Sequence, residues 1–556
     1  MSKTPLSGVD TAWLRMEHPT NLMMITGVMI FRAPIDPERL KATLEQRLLR
    51  FRRFQQRVQP MRLPIGRYVW ADDPRFDLDN HLRTVRLPSP GDQQALQELV
   101  SHLMSTPLDF SRPLWAIDLV EKYDTGCALI ARLHHCIGDG IALVRVLLSL
   151  ADTDPDAPWP DVSLDQLIYA HHTSLDTSHR SRLGLNNLAR WGKVLVREGS
   201  EARHDPTRAL EWARIGTRSA EALARLVLRW PDPQTLFKGK LGLEKRAAWS
   251  RPLALEGVKS VGRGAGGTVN DVLLTAITGA LRRYLEGREE PVDSVNVRAV
   301  VPVNLRSLKE ELRLGNRFGL VFLSLPVYIS DPIERLAELK RRMDSIKETP
   351  EAMVAFGILN AIGLAPAPLQ DLAVDIFGTK GTAVMTNVPG PKETIFLAGA
   401  PLDTIMFWVP QSGRLGMGVS IISYAAQVWL GVATDEGLVP DPQNIIDAFE
   451  AEFAALDRLT AQRTTAPEVL QTGSRTTSVA EMGAALDAAL QTVSELVEEA
   501  RKGPGAPPAG EPQRCQALTR AGRRCKNRPL VGSLFCRVHQ QTNTARIQEH
   551  PAGTTI

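Results

Sequence analysis

Cysteine is scarce in this 556-residue chain: of five residues, only Cys127 and Cys136 fall before position 515. So few thiols exclude a disulfide framework for the body of the protein. No uninterrupted apolar run reaches about 18 residues, the length a spanning helix needs. The nearest candidate, around Phe356–Leu369, is broken by Asn360, Pro366 and Pro368. Met1-Ser-Lys-Thr-Pro-Leu-Ser7 has no apolar stretch of signal-peptide length, so a cytoplasmic location is expected, with any membrane contact peripheral. A strong charge excess is also missing. Against 66 basic residues stand 62 acidic ones, a net charge of +4, which argues against a nucleic-acid coat protein. What is present is apolar side chain, 43% of the chain, at a length that suits two or three domains.

The small net charge is unevenly spread. From Gly503 onward eight basic residues face only Glu511 and Glu549, so this tail carries +6 and the rest of the chain −2. Three of the five cysteines lie there, in the pattern Cys515-x₉-Cys525-x₁₀-Cys536-x₂-His539. A piece this short cannot fold on apolar burial alone. Four zinc-type ligands within 25 residues would close that gap, because structural zinc contributes about 10–16 kcal/mol to folding. A structural zinc in a Cys₃His site is therefore expected, with a redox or disordered basic tail as the alternative.

Along the chain, strand and helix patterns mix. Leu22–Phe31, Ala128–His135, Val295–Val303, Leu320–Val327 and Gln427–Ala433 read as strands. Pro37–Phe51, Gln93–Met104 and Ile141–Leu150 read as helices. The reading divides the chain at 1–180, 181–249, 250–463, 464–512 and 513–556. The second of these is a basic helical connector: Arg182–Lys245 holds thirteen basic and seven acidic residues. Trp212, Ile215, Ala222, Leu223, Leu226 and Trp230 fall along one face of it. It serves either as a packed connector or as a dock for anionic lipid, where Arg and Trp favour the headgroup zone. The fourth contains a helix, Glu481–Arg501, and a Pro/Gly linker, Gly503–Gly510.

The chemistry concentrates in His134-His135-Cys136-Ile137-Gly138-Asp139-Gly140. A strand runs into the two histidines, a turn follows, and a helix begins at Ile141. Successive strand residues point to opposite faces, so one histidine enters a cavity and the other packs. Asp139 lies beyond the turn, where it braces the turn or fixes a tautomer. Gly138 and Gly140 are expected to permit the turn and a close approach by substrate. A second pair, His171-His172, lacks the downstream Asp-Gly and reads as structural.

The spacing HHxxxDG resembles the active-site motif of chloramphenicol-acetyltransferase-like acyltransferases. From about Leu6 to Asp457 the chain resembles, more narrowly, the bacterial wax ester synthase/diacylglycerol acyltransferases. The resemblance is carried by Pro5-Leu-Ser-Gly-Val-Asp10 with Pro19-Thr-Asn21, Phe76–Arg83, Pro113-Leu-Trp115, Asn270-Asp271, Val301-Pro-Val-Asn-Leu-Arg306, Gly315-Asn316, Thr386–Pro391 and Ser423-Tyr424, in that order. Cys136 and Ile137 occupy the variable interior of the motif. The tail beyond Thr465 is not covered.

The resemblance implies an α/β (α+β) fold of two chloramphenicol-acetyltransferase-like domains around a central channel. It implies an O-acyltransferase that moves a long-chain acyl group from acyl-CoA to diacylglycerol or a fatty alcohol. By the same resemblance His135 is the general base, His134 an orienting partner, Asp139 a brace and Asn270 a channel residue. No catalytic cofactor is implied, and contact with an anionic membrane or lipid inclusions is expected. Thr268 and Asp271 also read as a helix cap, which leaves Asn270 open to both readings. Gly262–Gly267 matches GxGxxG, but no strand leads in and no acidic residue ends the next strand, so a dinucleotide site is not expected. Two further readings stay open: a carrier-dependent acyltransferase of the same fold, and a non-catalytic lipid-binding scaffold.

Overall fold

In the computed structural model, residues 3–61, 67–155, 228–306, 314–347, 349–365, 367–411, 413 and 415–465 are described. Met1–Pro467 form one unit and Glu468–Ile556 a second. The expected helix Glu481–Arg501, the cysteine-rich tail with Cys515, Cys525, Cys536 and His539, His171-His172 and most of the basic connector lie outside the described residues.

In chain order the elements begin with β1 (Lys3–Pro5), α1 (Gly8–Arg15), β2 (Met24–Phe31), α2 (Pro37–Thr43), β3 (Gln56–Pro60), β4 (Tyr68–Asp72) and β5 (Leu82–Val85). Then come α3 (Gln93–Ser105), β6 (Trp115–Tyr123), β7 (Gly126–His134) and α4 (Gly140–Leu150). After the connector follow β8 (Lys245–Trp249), β9 (Leu253–Ala254), α5 (Leu255–Ala265), α6 (Val269–Glu286), β10 (Val297–Asn304) and β11 (Phe318–Leu325). Helices α7 (Pro332–Lys347), α8 (Glu351–Leu364) and α9 (Ala367–Gly378) precede β12 (Ala383–Pro389), β13 (Phe396–Leu397) and β14 (Ala400–Trp408). Strands β15 (Met417–Tyr424) and β16 (Gln427–Asp435) and helix α10 (Pro442–Thr465) close the series.

Among the described residues these strands form two large mixed sheets and one small one. The first sheet runs β13-β14-β2-β7-β6-β5, and the second runs β11-β10-β12-β15-β16-β8 with β9 beside β16. Chain order does not divide them cleanly. β14 belongs to the later half of the sequence, yet it pairs antiparallel with β2, Met406 opposite Val28. This crossing closes the edge of the first sheet with a strand from beyond the second sheet's β12. The first core gathers Val28, Leu129, Ile130, Met406 and Trp408, and the second gathers the buried face of α6 with Val419, Leu430 and Phe449.

Local departures from the expected elements have physical causes. Pro37–Phe51 is not one α-helix: α2 gives way to a widened π turn at Leu44–Leu48. Such a turn re-aims side chains, and here Arg47 is buried against Asp152 at 3.0 Å and the Leu150 carbonyl at 2.9 Å. The GxGxxG letters do not form a phosphate loop. Gly262 and Gly264 lie within α5, whose end is Gly266 at φ +71°. The apolar stretch around Phe356–Leu369 forms parts of α8 and α9, and among the described residues no helix is long and apolar enough to cross a membrane.

Helix α8 lies directly on α1. A Cβ on Gly363 would fall 1.7 Å from the Gly8 carbonyl oxygen, and one on Gly8 would fall 2.4 Å from that of Asn360. Glycine at both positions lets two helix backbones touch, which fixes where α1 presents its next turn.

Candidate active site

The two histidines separate as strand alternation requires. His134 ends β7, fully buried, its Nδ1 accepting from the Cys136 amide at 3.1 Å and its Nε2 3.5 Å from Glu17. Phe110 meets its ring edge-on at 5.8 Å. His135 turns the other way, toward α1, where the Trp13 ring stacks on it at 4.3 Å and 18°. Phe318, the first residue of β11, lies 5.7 Å from the imidazole and 5.9 Å from the Trp13 ring, completing a three-ring cluster. The His135 backbone amide donates to the Met23 carbonyl at 2.7 Å, so the residue just before β2 anchors the same turn.

Asp139 is the N-cap of α4. Its Oδ1 accepts from the Ala142 amide at 2.9 Å, satisfying one orphan donor of the first turn. Its Oδ2 accepts from Arg306 Nη2 at 2.9 Å and Nε at 3.2 Å, and from the Arg317 amide at 2.9 Å. The pair is almost fully buried, and it joins the histidine turn to the segment between β10 and β11. The same segment reaches across again: the Gly315 amide donates to the Ile137 carbonyl at 2.9 Å, and Gly315 sits at φ +110°, a conformation that requires glycine. The motif glycines are under no such demand. Neither is left-handed, and a Cβ on Gly138 would meet Ala142 at 3.4 Å and one on Gly140 would meet Val388 at 3.8 Å, ordinary van der Waals contacts, so the packing of the chain does not require glycine there.

Asn270 reaches the site by a chain of contacts. It is the second residue of α6, which carries the expected capping box of Thr268 and Asp271. Asn387 of β12 donates to its Oδ1 at 3.1 Å, and the next residue, Val388, packs 3.8 Å from the Cβ position of Gly140 at the start of α4. The structure therefore brings His134, His135 and Asp139 together at one turn and places Asn270, at the start of α6, against Asn387 of the strand that flanks it.

Burial holds the His135 imidazole down from 6.5 to about 4, with the Asp139 carboxylate pulling weakly the other way. Stacking on Trp13 also favours the cation, yet burial wins, and the ring is neutral near pH 7. Cys136, the next residue of the turn, is fully buried and its thiol is pushed well above the usual range by desolvation, so it is inert. The histidine shift has a stability consequence. An unfolded chain binds a proton at 6.5 and the folded one only near 4, so His135 favours the fold fully above about pH 6.5. That share, on the order of 3 kcal/mol, is lost as pH falls through the folded value. Urea titrations at pH 4 and 7 should show it as a loss of stability in the wild type that is smaller in His135→Gln; equal pH slopes in the two proteins would contradict the shift.

Two apolar cavities flank the turn. One, about 140 Å³, lies between α4 and the first sheet and is lined by Ile25, Met29, Leu133, Leu143, Leu147 and Val388. The other, about 100 Å³, is lined by Trp13, Met16, Leu320, Phe322, Ile358 and Phe377. Leu133 and Trp13 tie both to His135, one through the chain and one through the stacked ring. Among the described residues no group of three His, Cys, Asp or Glu side chains is placed to hold a metal.

Comparison with known proteins agrees with this geometry. The family model "Wax ester synthase/diacylglycerol acyltransferase catalytic domain" matches residues 6–273, and "WS/DGAT C-terminal domain" matches residues 314–457. Probable diacylglycerol O-acyltransferase tgs1 of Mycobacterium tuberculosis is 29% identical over 466 residues, covering 82% of this chain and 96% of the relative. Among solved structures, the wax ester synthase/diacylglycerol acyltransferase from Marinobacter aquaeolei VT8 superposes with a TM-score of 0.58 at 23% identity, over 82% of this chain and 100% of that one. The first condensation domain of the calcium-dependent antibiotic synthetase, at 14% identity and a TM-score of 0.52 over 83% of this chain and 97% of its own, shares the fold. With a buried neutral histidine on a capped turn beside two apolar pockets, and with both family models matched, the chain belongs to the wax ester synthase/diacylglycerol acyltransferase family and is an O-acyltransferase of triacylglycerol and wax ester synthesis.

Proposed function

We propose that the donor is a long-chain acyl-CoA, that the acceptor is diacylglycerol or a fatty alcohol, and that His135 is the general base. The observation that carries this is a buried, neutral imidazole stacked on Trp13, which lines one of two apolar pockets beside the histidine turn. Forming an ester between two lipids requires two aliphatic chains to reach one base. Each methylene buried contributes about 0.8 kcal/mol, so apolar walls suffice to hold either chain.

In the step itself, the imidazole removes the hydroxyl proton as the oxygen attacks the thioester carbonyl. The C–O bond forms, the C–S bond breaks, and the imidazolium returns its proton to the departing CoA thiolate. Asp139 takes no proton: its oxygens are occupied by the helix cap and by Arg306, so it holds the turn. Asn270, with its Oδ1 engaged by Asn387, offers its Nδ2 to a substrate oxygen.

Purified full-length protein given long-chain acyl-CoA and either acceptor should release free thiol together with triacylglycerol or wax ester. No thiol release with either acceptor would overturn the reading. Two further parts of this proposal concern residues mostly outside the described set. The basic connector is assigned to peripheral contact with anionic lipid or lipid inclusions, and absence of flotation with anionic vesicles at low salt would refute it. Cys515, Cys525, Cys536 and His539 are assigned to one structural zinc, and elemental analysis of the full chain without stoichiometric zinc would refute that.

A further inference from the structure

Where the connector rejoins the fold, it carries large apolar side chains that the protein leaves uncovered. Among its described residues helix ends at Leu228, 76% exposed, and Trp230 follows on non-helical backbone, 85% exposed. Tryptophan is highly buried on average in folded proteins. The backbone that carries this one is pinned on two sides. The Trp230 carbonyl accepts from Arg298 Nη1 at 3.0 Å, and the same nitrogen donates to the Lys380 carbonyl at 2.6 Å. Asp232 accepts from the Arg298 amide at 2.8 Å, and its own amide donates to the Thr379 carbonyl at 3.0 Å. β10 and the chain just past α9 therefore hold Trp230 outward, and α9 adds Ile376, 43% exposed, four residues before Lys380. A fixed apolar group of this kind marks a surface that another body covers.

Cations fringe these three side chains. Arg229 lies over the Phe322 ring at 4.9 Å and Lys380 over the Phe377 ring at 5.6 Å, and both rings line the smaller apolar cavity. Lys238 donates to the Thr379 carbonyl at 2.8 Å, and Lys240 is exposed two residues on. With Arg298 the fringe has five cations. Three carboxylates oppose them: Glu351, paired with Arg229 at 3.3 Å, Asp232, 3.8 Å from Arg298, and Asp375 on α9. Basic side chains around exposed Trp and aliphatic groups suit the headgroup zone of an anionic bilayer. The position favours lipid over a protein partner, because the cavity at this rim is also lined by Trp13, which stacks on His135. We infer that Leu228, Trp230 and Ile376, with Arg229, Lys238, Lys240 and Arg298 around them, dock the enzyme on an anionic phospholipid bilayer and seat the rim of that cavity against the lipid that supplies the acceptor. The inference deepens the assignment of the connector to anionic lipid and rests on that reading.

Flotation of the full-length protein with vesicles of phosphatidylglycerol and phosphatidylcholine at low salt tests it. Wild type should float, and Trp230→Ser should partition about tenfold more weakly, as expected for an indole withdrawn from lipid. Lys240→Gln should lose about fivefold, and that loss should vanish on phosphatidylcholine alone. Phosphatidylcholine brominated in its acyl chains should quench a component of the wild-type fluorescence that is absent from Trp230→Phe. The ratio of turnover on vesicle-borne to detergent-dispersed diacylglycerol should fall in Trp230→Ser, whereas a merely structural role would lower both alike. Equal partition of wild type and Trp230→Ser overturns the inference and leaves the connector's assignment standing; no flotation of wild type overturns both. A wild-type dimer that Trp230→Ser turns into a monomer gives this face to a second copy and overturns the inference as well.

Discussion

Replacing His135 with alanine is expected to lower kcat by about 10²–10⁴-fold, the range general-base assistance supplies, while leaving KM for acyl-CoA within a few-fold. The reaction has an activated acyl donor, so the difficult part is raising the nucleophilicity of a lipid hydroxyl inside an apolar site. Water cannot serve as the base there without hydrolysing the thioester. Among the described groups at the turn the His135 imidazole is neutral near pH 7 and left for the substrate: His134 is committed to the Cys136 amide and faces Glu17, and Asp139 is committed to the helix cap and Arg306. His135→Gln offers the better control for packing, since it keeps a planar polar group against Trp13. Both variants should fold, and both should be deficient in steady-state thiol release. Wild-type turnover in either would remove His135 from the mechanism.

Breaking the buried pair between Asp139 and Arg306 should have the largest effect on stability. Removing one partner of a buried ion pair typically costs about 3–5 kcal/mol, because the remaining charge loses its counter-ion in a dry setting. Arg306→Ala should show a cost of this size as a lower urea midpoint, and Asp139→Ala should add the loss of the α4 cap, about 1 kcal/mol. The double variant should cost less than the two single effects together, since neither charge is then stranded. Because Arg306 holds the turn from outside the first sheet, the single variants should also lose activity, even at temperatures where they remain folded. Strict additivity in the double-mutant cycle would show that the pair is not coupled.

The sequence made one layer of this site legible and left another hidden. The motif letters located the histidine turn because strand, paired histidines and Asp-Gly are contiguous, and the helix cap at Thr268 and Asp271 was readable for the same reason. Trp13, Glu17 and Phe318 carried no signal, since an aromatic stacked on a histidine in space leaves no mark on spacing. Asp10, Arg306 and Asn316 stood inside recognisable stretches, yet their roles depend on contacts across 167 to 306 positions of chain, among them Arg306 to Asp139 and Asn316 to Asp10. The strand ends shifted by one or two residues, as with β7 ending at His134 instead of His135. The π turn after α2 was invisible because its cause, Asp152, lies a hundred residues away. The crossing of β14 into the first sheet was hidden too, since its alternation reads the same in either sheet.

That crossing bears on how the protein is made. A ribosome finishes β2, β6 and β7 long before it reaches Ala400, so the nascent first sheet waits with the outer edge of β2 unpaired. An open edge of Met-Ile-Thr-Gly-Val-Met-Ile-Phe is an invitation to pair with another chain. Synthesis must extend through Trp408 before the protein's own strand can occupy that edge, and any product released earlier, by nonsense mutation or by dissection into halves, carries it exposed. The enzyme is thus protected against association by its last third, and its need for chaperone cover is greatest while that third is still being translated.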